Sequence, residues 1–171
     1  MRKVEVIAYT NEWSKKFDQE AQLIHHIMGQ EIIDIHHIGS TSVPGLKAKP
    51  IIDMMPVVRD ISKVDNYIHK MEDAGYEALG ENGLPGRRYF RKGGDNRTHH
   101  VHVFEEGHPD VERHLVFRDY LCSHPKDMRA YGDLKESLAN TYPTNIDAYI
   151  DGKDQLVKDI ERRAIEWRQN R

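Results

Sequence analysis

The sequence predicts an α/β (α+β) fold, in which a sheet with flanking helices is followed by a C-terminal helical half. Two runs rich in Ile and Val, Glu31–Ile38 and Ile51–Val58, have the composition of central strands. Beyond Pro109 the apolar residues recur at helical spacing, with breaks at Pro125 and Pro143. We therefore expect an α/β half that carries the functional site and a helical half that covers it.

The first elements are assigned from their periodicity. Val4–Ala8 alternates weakly and is either a first strand or an extended arm. Glu12–Met28 has apolar residues at helical spacing and is followed by Gly29, which predicts the first helix. After the two central strands, Ser62 can cap a second helix that ends at Gly75.

The later elements complete the sheet and the helical half. A strand begins near Tyr76, and a Gly-rich loop follows it. Arg88–Lys92 and Thr98–Phe104 are expected to pair, because Gly, Asp and Asn residues join them in a turn. Three amphipathic helices are then predicted, at Val111–Leu121, Met128–Asn140 and Asp147–Gln169.

Composition limits the possible classes of protein. With 171 residues and 38% hydrophobic content, the chain fits a single domain over 1–171. A net charge of -3 gives no global basic field, so we do not expect a nucleic acid partner. Cys122 is the only cysteine, which excludes an intramolecular disulfide and a thiolate zinc cluster. No run approaches the roughly 20 apolar residues of a membrane span, and no apolar signal core is seen, so a cytoplasmic location is expected.

The segment Ile35–Val58 contains the main candidate site. Gly39 lets the backbone approach a ligand closely, and Ser40 and Thr41 offer hydroxyl and amide groups for an anion. A short helix is expected to follow this turn. Asp53 lies within the apolar run IIDMMPVV, where a charge loses solvation unless a partner supports it. The pattern therefore predicts a phosphate or metal site in which the turn and the acid meet.

This segment resembles the signature of the nucleotidyltransferase superfamily, in which an apolar residue, Gly and Ser precede an Asp on the next strand. Ile38-Gly39-Ser40 and Asp53-Met54 match that signature. The stretches HIGSTSVPGLKAKPIID, THHVHVF and FRDYL are similar, more narrowly, to the GrpB family, and the similarity covers roughly residues 4 to 165. The resemblance implies a nucleotidyltransferase-like mixed sheet, a nucleotide or other phosphorylated small molecule as ligand, and a divalent ion, magnesium or manganese.

One position departs from the superfamily pattern. Met55 stands two residues after Asp53, where the superfamily has a second acid that helps to hold two metal ions. A thioether is a poor ligand for a hard cation such as magnesium. The departure places the two-metal arrangement in doubt.

The run THHVHVF supplies further candidate ligands. Strand alternation puts His100 and His102 on one face, where two imidazoles can share a metal or contact a phosphate. By resemblance His102, or else His100, occupies the place of a third acid and acts as a ligand or a base. With Asp53, the pair would favour a transition metal such as zinc over magnesium. The alternative is a cross-strand pair that only forms hydrogen bonds with its neighbours.

Cationic and aromatic residues could contact phosphate. Alternation puts Arg91 on one face with a tyrosine, although an exposed strand with solvated charges would look the same. Lys49 lies close to the Asp53 strand. Lys153 and Tyr149, four residues apart on one helix face, match positions that recur in the family.

Three other basic residues are weaker candidates. Lys135 also matches a recurring family position, but a charge on a helix usually lies on a solvated face. Arg87 and Arg88 are expected at the surface.

Three functions are compatible with these residues. In the first, the protein binds a nucleoside triphosphate or a related ligand, with Gly39 and Ser40 on the phosphates, and transfers a nucleotidyl group to a small acceptor. In the second, it is a non-catalytic nucleotide-binding, phosphate-binding or accessory module. In the third, it is a metal-dependent hydrolase that uses Asp53, His100 and His102. The sequence specifies neither the acceptor nor the oligomeric state.

Overall fold

A five-stranded mixed sheet forms the α/β half of the computed structural model, which describes residues 2–171. The strands are β1 (Ile32–Ile38), β2 (Ile52–Val58), β3 (Tyr76–Ala78), β4 (Arg87–Lys92) and β5 (His99–Glu105). Their order in the sheet is β1-β2-β5-β4-β3, with β2 and β5 parallel and the other neighbouring pairs antiparallel. The predicted fold class is confirmed.

Five α-helices surround this sheet or extend beyond it. They are α1 (Glu12–Met28), α2 (Ile68–Asp73), α3 (Pro109–Ser123), α4 (Pro125–Thr141) and α5 (Ile146–Gln169). Pro109 and Pro125 begin their helices, where the missing N–H would have no intrahelical partner. The Asn145 side chain accepts a hydrogen bond from the Ala148 N–H and caps α5. The longest predicted helices are therefore confirmed, each extended by one to three residues at its N-terminal end except α1, whose bounds match the prediction.

The two faces of the sheet are both covered. On one face, Met54 and Val101 pack with Trp13 and Met28 of α1 in the largest apolar cluster. On the other face, Met55 and its neighbours pack against the start of α3. Because β2 is buried on both faces, it reads as a nearly continuous apolar run, and Asp53 is its one charged residue.

The structure corrects one strand prediction and decides between the two alternatives for another segment. Glu31–Ile38 was expected to be a central strand, but β1 begins at Ile32 and lies at the edge of the sheet, because it pairs only with β2. Val4–Ala8 is an extended arm, the second of the two alternatives: its one β-bridge joins Ile7 to Ala48, and the Val4 N–H donates to the Pro143 carbonyl at 2.8 Å.

Two helix predictions are also corrected. The segment expected to be a helix capped by Ser62 begins as a 3₁₀ helix, Ile61–Tyr67, and only Ile68–Asp73 is α-helical. Its cap is Asp60, whose carboxylate accepts a hydrogen bond from the Ser62 N–H. The short helix expected after the Gly-Ser turn is a single 3₁₀ turn, Ser40–Ser42.

The helices of residues 2–171 include none that is both long enough and apolar enough to cross a membrane.

Candidate functional site

The turn after β1 and the acid in β2 meet at the edge of the sheet. Ile38, the last residue of β1, is the register partner of Asp53. Gly39 follows with a φ of 71°, and a Cβ added to it would lie 2.7 Å from Asp53 Oδ2. Only glycine suits both the positive φ and this close approach. The predicted convergence of turn and acid is therefore present.

Hydrogen bonds hold the Gly-Ser turn in place. The Ser42 hydroxyl donates to the Gly39 carbonyl at 2.5 Å, and the buried Thr41 hydroxyl lies 2.9 Å from His37 Nε2. Ser40 and Thr41 line a cavity beside Asp53. The turn thus presents hydroxyl and backbone groups to a ligand from a fixed position.

Both predicted histidines of β5 contact the same oxygen of Asp53. His100 Nδ1 lies 3.2 Å from Asp53 Oδ1, and His102 Nε2 lies 3.3 Å from it. The parallel pairing of β2 and β5 places Asp53 opposite His100, and strand alternation brings His102 to the same face. The histidines and the acid are therefore brought together as expected.

An arginine lies on the outer side of each histidine. Arg97 Nη1 is 3.2 Å from His100 Nε2, and Arg87 Nη1 is 3.4 Å from His102 Nδ1. A guanidinium only donates hydrogen bonds, so each imidazole accepts from its arginine and donates to Asp53. This assigns the proton to Nδ1 of His100 and to Nε2 of His102. Each histidine thereby bridges a guanidinium and the carboxylate.

Asp53 is held as an anion by these contacts. Burial on its own would raise the pKa of Asp53, but the hydrogen bonds from His100 and His102 outweigh it and hold the pKa far below its usual range. A carboxylate with so low a pKa is a weak base. It can accept hydrogen bonds from a ligand or orient it without taking up a proton.

The predicted ligand set does not fit a metal site built from Asp53, His100 and His102. Within residues 2–171, no three His, Cys, Asp or Glu side chains are arranged to hold a metal ion. Each histidine has both ring nitrogens engaged, one by Asp53 and one by an arginine, so neither offers a lone pair. Met55, in the place of the second acid, is fully buried beside Ile38 and Phe104. A two-metal site does not fit either.

A cavity of about 330 Å³ opens beside Asp53, between the sheet and helices α4 and α5. Its sheet side includes Ser40, Thr41, Asp53 and His100, and its helical side includes Lys135, Tyr149 and Lys153, while Lys49 precedes β2. Asp53 is the one acidic residue in this lining, against three lysines. The predicted residues Ser40, Thr41, Lys49, Tyr149 and Lys153 are thus brought to one cavity.

The three lysines are close to aromatic rings and to one another. Lys49 Nζ lies 5.0 Å, and Lys153 Nζ 5.6 Å, from the centre of the Tyr149 ring. Burial and, after it, the charge of Lys153 together lower the pKa of Lys49 to about 8. The lysines therefore repel one another, and an anion in the cavity would relieve that repulsion.

Lys135 corrects the expectation of a solvated helix face. Its side chain is 2% exposed, and its Nζ lies 4.4 Å from the centre of the Tyr131 ring. Among the described residues, Lys135 Nζ and the Tyr149 hydroxyl are the two buried side-chain polar atoms without a hydrogen-bond partner. Burial, together with Lys153 and Lys49, holds the pKa of Lys135 well below its usual range. Two unpaired donors in one cavity indicate a place for ligand oxygens.

The structure gives two of the arginines partners that the sequence analysis did not anticipate. Arg87 was expected at the surface, but it contacts His102 and lies 4.9 Å from the centre of the Tyr89 ring. Alternation along β4 puts Arg87 on the face of Tyr89, so the signal was present in the sequence. Arg97 lies in a turn, where strand alternation cannot predict the direction of a side chain. Arg91, the predicted phosphate contact, is instead bound to Glu77 through two nitrogens, at 2.9 and 3.3 Å.

The five-stranded mixed sheet, with the turn facing a strand carboxylate, gives the chain a nucleotidyltransferase-like fold. The family model described as GrpB protein matches residues 3–163, and the chain belongs to the GrpB family. The chain is 51% identical to the UPF0157 protein YqkA of Bacillus subtilis over 170 residues. This match covers 99% of the chain but 50% of YqkA, so the chain spans half the length of that relative.

Two solved structures share the fold, and a further relative is similar in sequence. The crystal structure of GrpB from Enterococcus faecalis has a TM-score of 0.93 and 44% identity, covering 96% of this chain and 99% of that one. The Cid1 poly(U) polymerase has a TM-score of 0.51 and 10% identity, covering 80% of this chain and 42% of that one. At that identity the likeness concerns the fold alone. A dephospho-CoA kinase of Mycolicibacterium paratuberculosis is 25% identical over 181 residues, covering 91% of this chain and 44% of the kinase.

Proposed function

We propose that this protein binds a nucleoside triphosphate, or another phosphorylated small molecule, in the cavity beside Asp53. The observation that carries the proposal is the lining of that cavity, in which Lys49, Lys135 and Lys153 face a single carboxylate. Three lysine amines in a partly enclosed site favour an anionic ligand, because an anion stabilises their protonated forms where charges are poorly screened. Phosphate groups supply several negative charges and many acceptor oxygens in one small molecule.

The parts of the cavity have distinct roles in this proposal. The Gly39–Ser40 turn supplies backbone and hydroxyl donors for phosphate oxygens. The lysines supply countercharge, and Tyr149 offers a hydroxyl without another partner. Asp53 orients the ligand by accepting a hydrogen bond from a hydroxyl group, and His100 and His102 hold its carboxylate in position. Nothing in this scheme requires Arg91.

The divalent ion implied by the family resemblance has a limited set of ligands here. Magnesium or manganese bound with the phosphates would have Asp53 as its one carboxylate ligand from the cavity lining. A zinc site would need His100 and His102 to release both Asp53 and their arginines. The hydrolase that depends on such a site is therefore the least favoured of the three functions.

Transfer of a nucleotidyl group and binding without turnover remain the two forms of the proposal. The position of the Gly-Ser turn against Asp53 favours transfer to a small acceptor. Met55 favours a binding or accessory module, because loss of a metal ligand costs most in the transition state. His102 cannot act as a base while its Nδ1 accepts from Arg87 and its Nε2 donates to Asp53.

Ligand binding and turnover can be tested in one series of measurements. Thermal unfolding with each nucleoside triphosphate, with and without magnesium, should show stabilisation, since a ligand of the native state raises the melting temperature. Release of pyrophosphate in the same samples distinguishes transfer from binding alone. Asp53→Ala and Lys153→Met should each reduce the stabilisation. The proposal would be abandoned if no phosphorylated compound stabilised the wild-type protein, or if Asp53→Ala changed nothing.

A further inference from the structure

A second basic groove adjoins the cavity proposed for the nucleotide. It encloses about 320 Å³ and lies between the N-terminal arm, α1 and the turn that joins β4 to β5. We call it the basic groove and define it by five cationic side chains, Arg2, Lys3, Lys16, Lys49 and Arg97. Two acidic residues, Glu5 and Asp95, also line it, so cations outnumber acids by five to two.

The basic groove and the first cavity share part of their lining. Lys49 and Ile51 line both of them. Arg97 extends the connection, because it contacts His100, which in turn donates to Asp53. A ligand in the basic groove would therefore lie next to the carboxylate proposed to orient the nucleotide.

The cations of the basic groove differ from most others on this protein. Elsewhere Lys47 pairs with Asp133 and Glu136, and Arg88 pairs with Asp65. Within residues 2–171, none of the five groove cations lies within ion-pair distance of a carboxylate. Burial lowers the pKa of Arg97, and the charge of Arg2 lowers it further. Clustered cations without carboxylate partners leave electrostatic repulsion that a bound anion would remove.

We infer that the basic groove binds the phosphate group of a second small molecule, beside the nucleotide in the first cavity. A phosphomonoester suits it, because a guanidinium and several ammonium groups can surround its oxygens. None of the described residues that line the basic groove is aromatic, so these residues offer no stacking platform for the bases of a nucleic acid strand. The inference rests on the proposed function for the identity of the first ligand.

The test uses the full chain and ribose 5-phosphate as the probe. Calorimetric titration measures its affinity alone and again with a saturating, non-hydrolysable nucleoside triphosphate. The variant Lys3→Gln/Lys16→Gln removes two exposed charges of the basic groove and leaves the first cavity intact. The control Lys63→Gln/Lys126→Gln removes the same net charge at exposed positions outside both sites.

We expect the groove variant to bind ribose 5-phosphate about tenfold more weakly than wild type, while nucleotide affinity and the control stay unchanged. Equal affinity of wild type, variant and control would overturn the inference. So would displacement of the probe by a single-stranded RNA oligonucleotide that binds more tightly through Lys3 and Lys16. A separate outcome is that the nucleotide fails to bind while the affinity for ribose 5-phosphate still depends on Lys3 and Lys16. That result would contradict the proposed function and support the phosphate site in the basic groove.

Discussion

Gly39 lies directly against Asp53, although the two residues belong to different elements. A Cβ on Gly39 would stand 2.7 Å from Oδ2 of Asp53 and 3.0 Å from its Cβ. Both atoms belong to the Asp53 side chain, whose carboxylate is held in place by two histidines. The turn and the acid are therefore packed as one unit.

Gly39→Ala should disrupt this unit. The new methyl group would push Asp53 from its histidines, and a φ of 71° strains any L-residue other than glycine. We expect a loss of about 2–4 kcal/mol in the free energy of unfolding, from strain and overpacking together. Denaturant unfolding measures that loss, and titration with nucleotide should show weakened binding.

Gly80→Ala is the matched control for this change. Gly80 has a φ of 60° and nothing within 4 Å of an added Cβ, so it carries the backbone strain without the clash. Its cost should be about 1–2 kcal/mol. Equal losses for the two variants would show that the contact with Asp53 contributes nothing.

The protonation of the two histidines is a second prediction. We expect a proton on Nδ1 of His100 and on Nε2 of His102, because the other nitrogen of each ring accepts from an arginine. The ¹⁵N chemical shifts of the ring nitrogens distinguish these tautomers. Arg97→Met should free Nε2 of His100 and change the shifts of that ring while leaving His102 unchanged. A proton on Nε2 of His100 in the wild-type protein would contradict the arrangement.

Lys135→Met should separate stability from binding. Methionine has a similar shape and removes an amine that is buried without a partner, so we expect the free energy of unfolding to rise by about 1–3 kcal/mol. The same change should weaken nucleotide binding about tenfold or more, because it removes an amine that can donate to the phosphates. Thermal unfolding and calorimetric titration measure the two effects.

Lys126→Met is the control for this substitution, because Lys126 is exposed and lies outside the cavity. It should leave both quantities nearly unchanged. A destabilised Lys135→Met protein with normal nucleotide affinity would show that Lys135 serves packing alone.

The pH dependence of binding follows from Lys49. Burial and the charge of Lys153 lower the pKa of Lys49 to about 8, so this amine loses its proton as the pH rises through 8. The folded pKa lies below the unfolded one, so stability is lost as the pH falls from the unfolded value toward 8 and is regained as the pH rises. Nucleotide affinity should show the opposite trend and weaken above pH 8, because the charged amine binds the phosphate.

Lys49→Arg isolates this effect, since arginine keeps its charge over the whole range. We expect the dissociation constant of the wild-type protein to rise relative to that of Lys49→Arg between pH 7 and 9.5. Calorimetric titration at several pH values measures this ratio. A constant ratio would mean that Lys49 does not contact the phosphates.

Local patterns were enough to predict much of the fold and part of the site. Helix α1 follows from its apolar spacing and Gly29, and the shared face of His100 and His102 follows from strand alternation. The meeting of Gly39 with Asp53 follows from the short connection between two neighbouring strands. In each case the determining interactions are local or link elements that are adjacent in sequence.

Only the tertiary structure decided how distant elements complete the site. Lys135 lines the cavity because the side of α4 that carries it is buried, with Gly132 against Leu46, whereas a lysine on a helix is expected from sequence to be solvated. Arg97 contacts His100 from a turn, and Arg91 donates hydrogen bonds to Glu77 of the neighbouring strand. The sequence by itself therefore determined the acid, its histidines and the Gly-Ser turn. The packing of the helical half against the sheet decided which cations surround them, because side-chain burial there depends on long-range contacts.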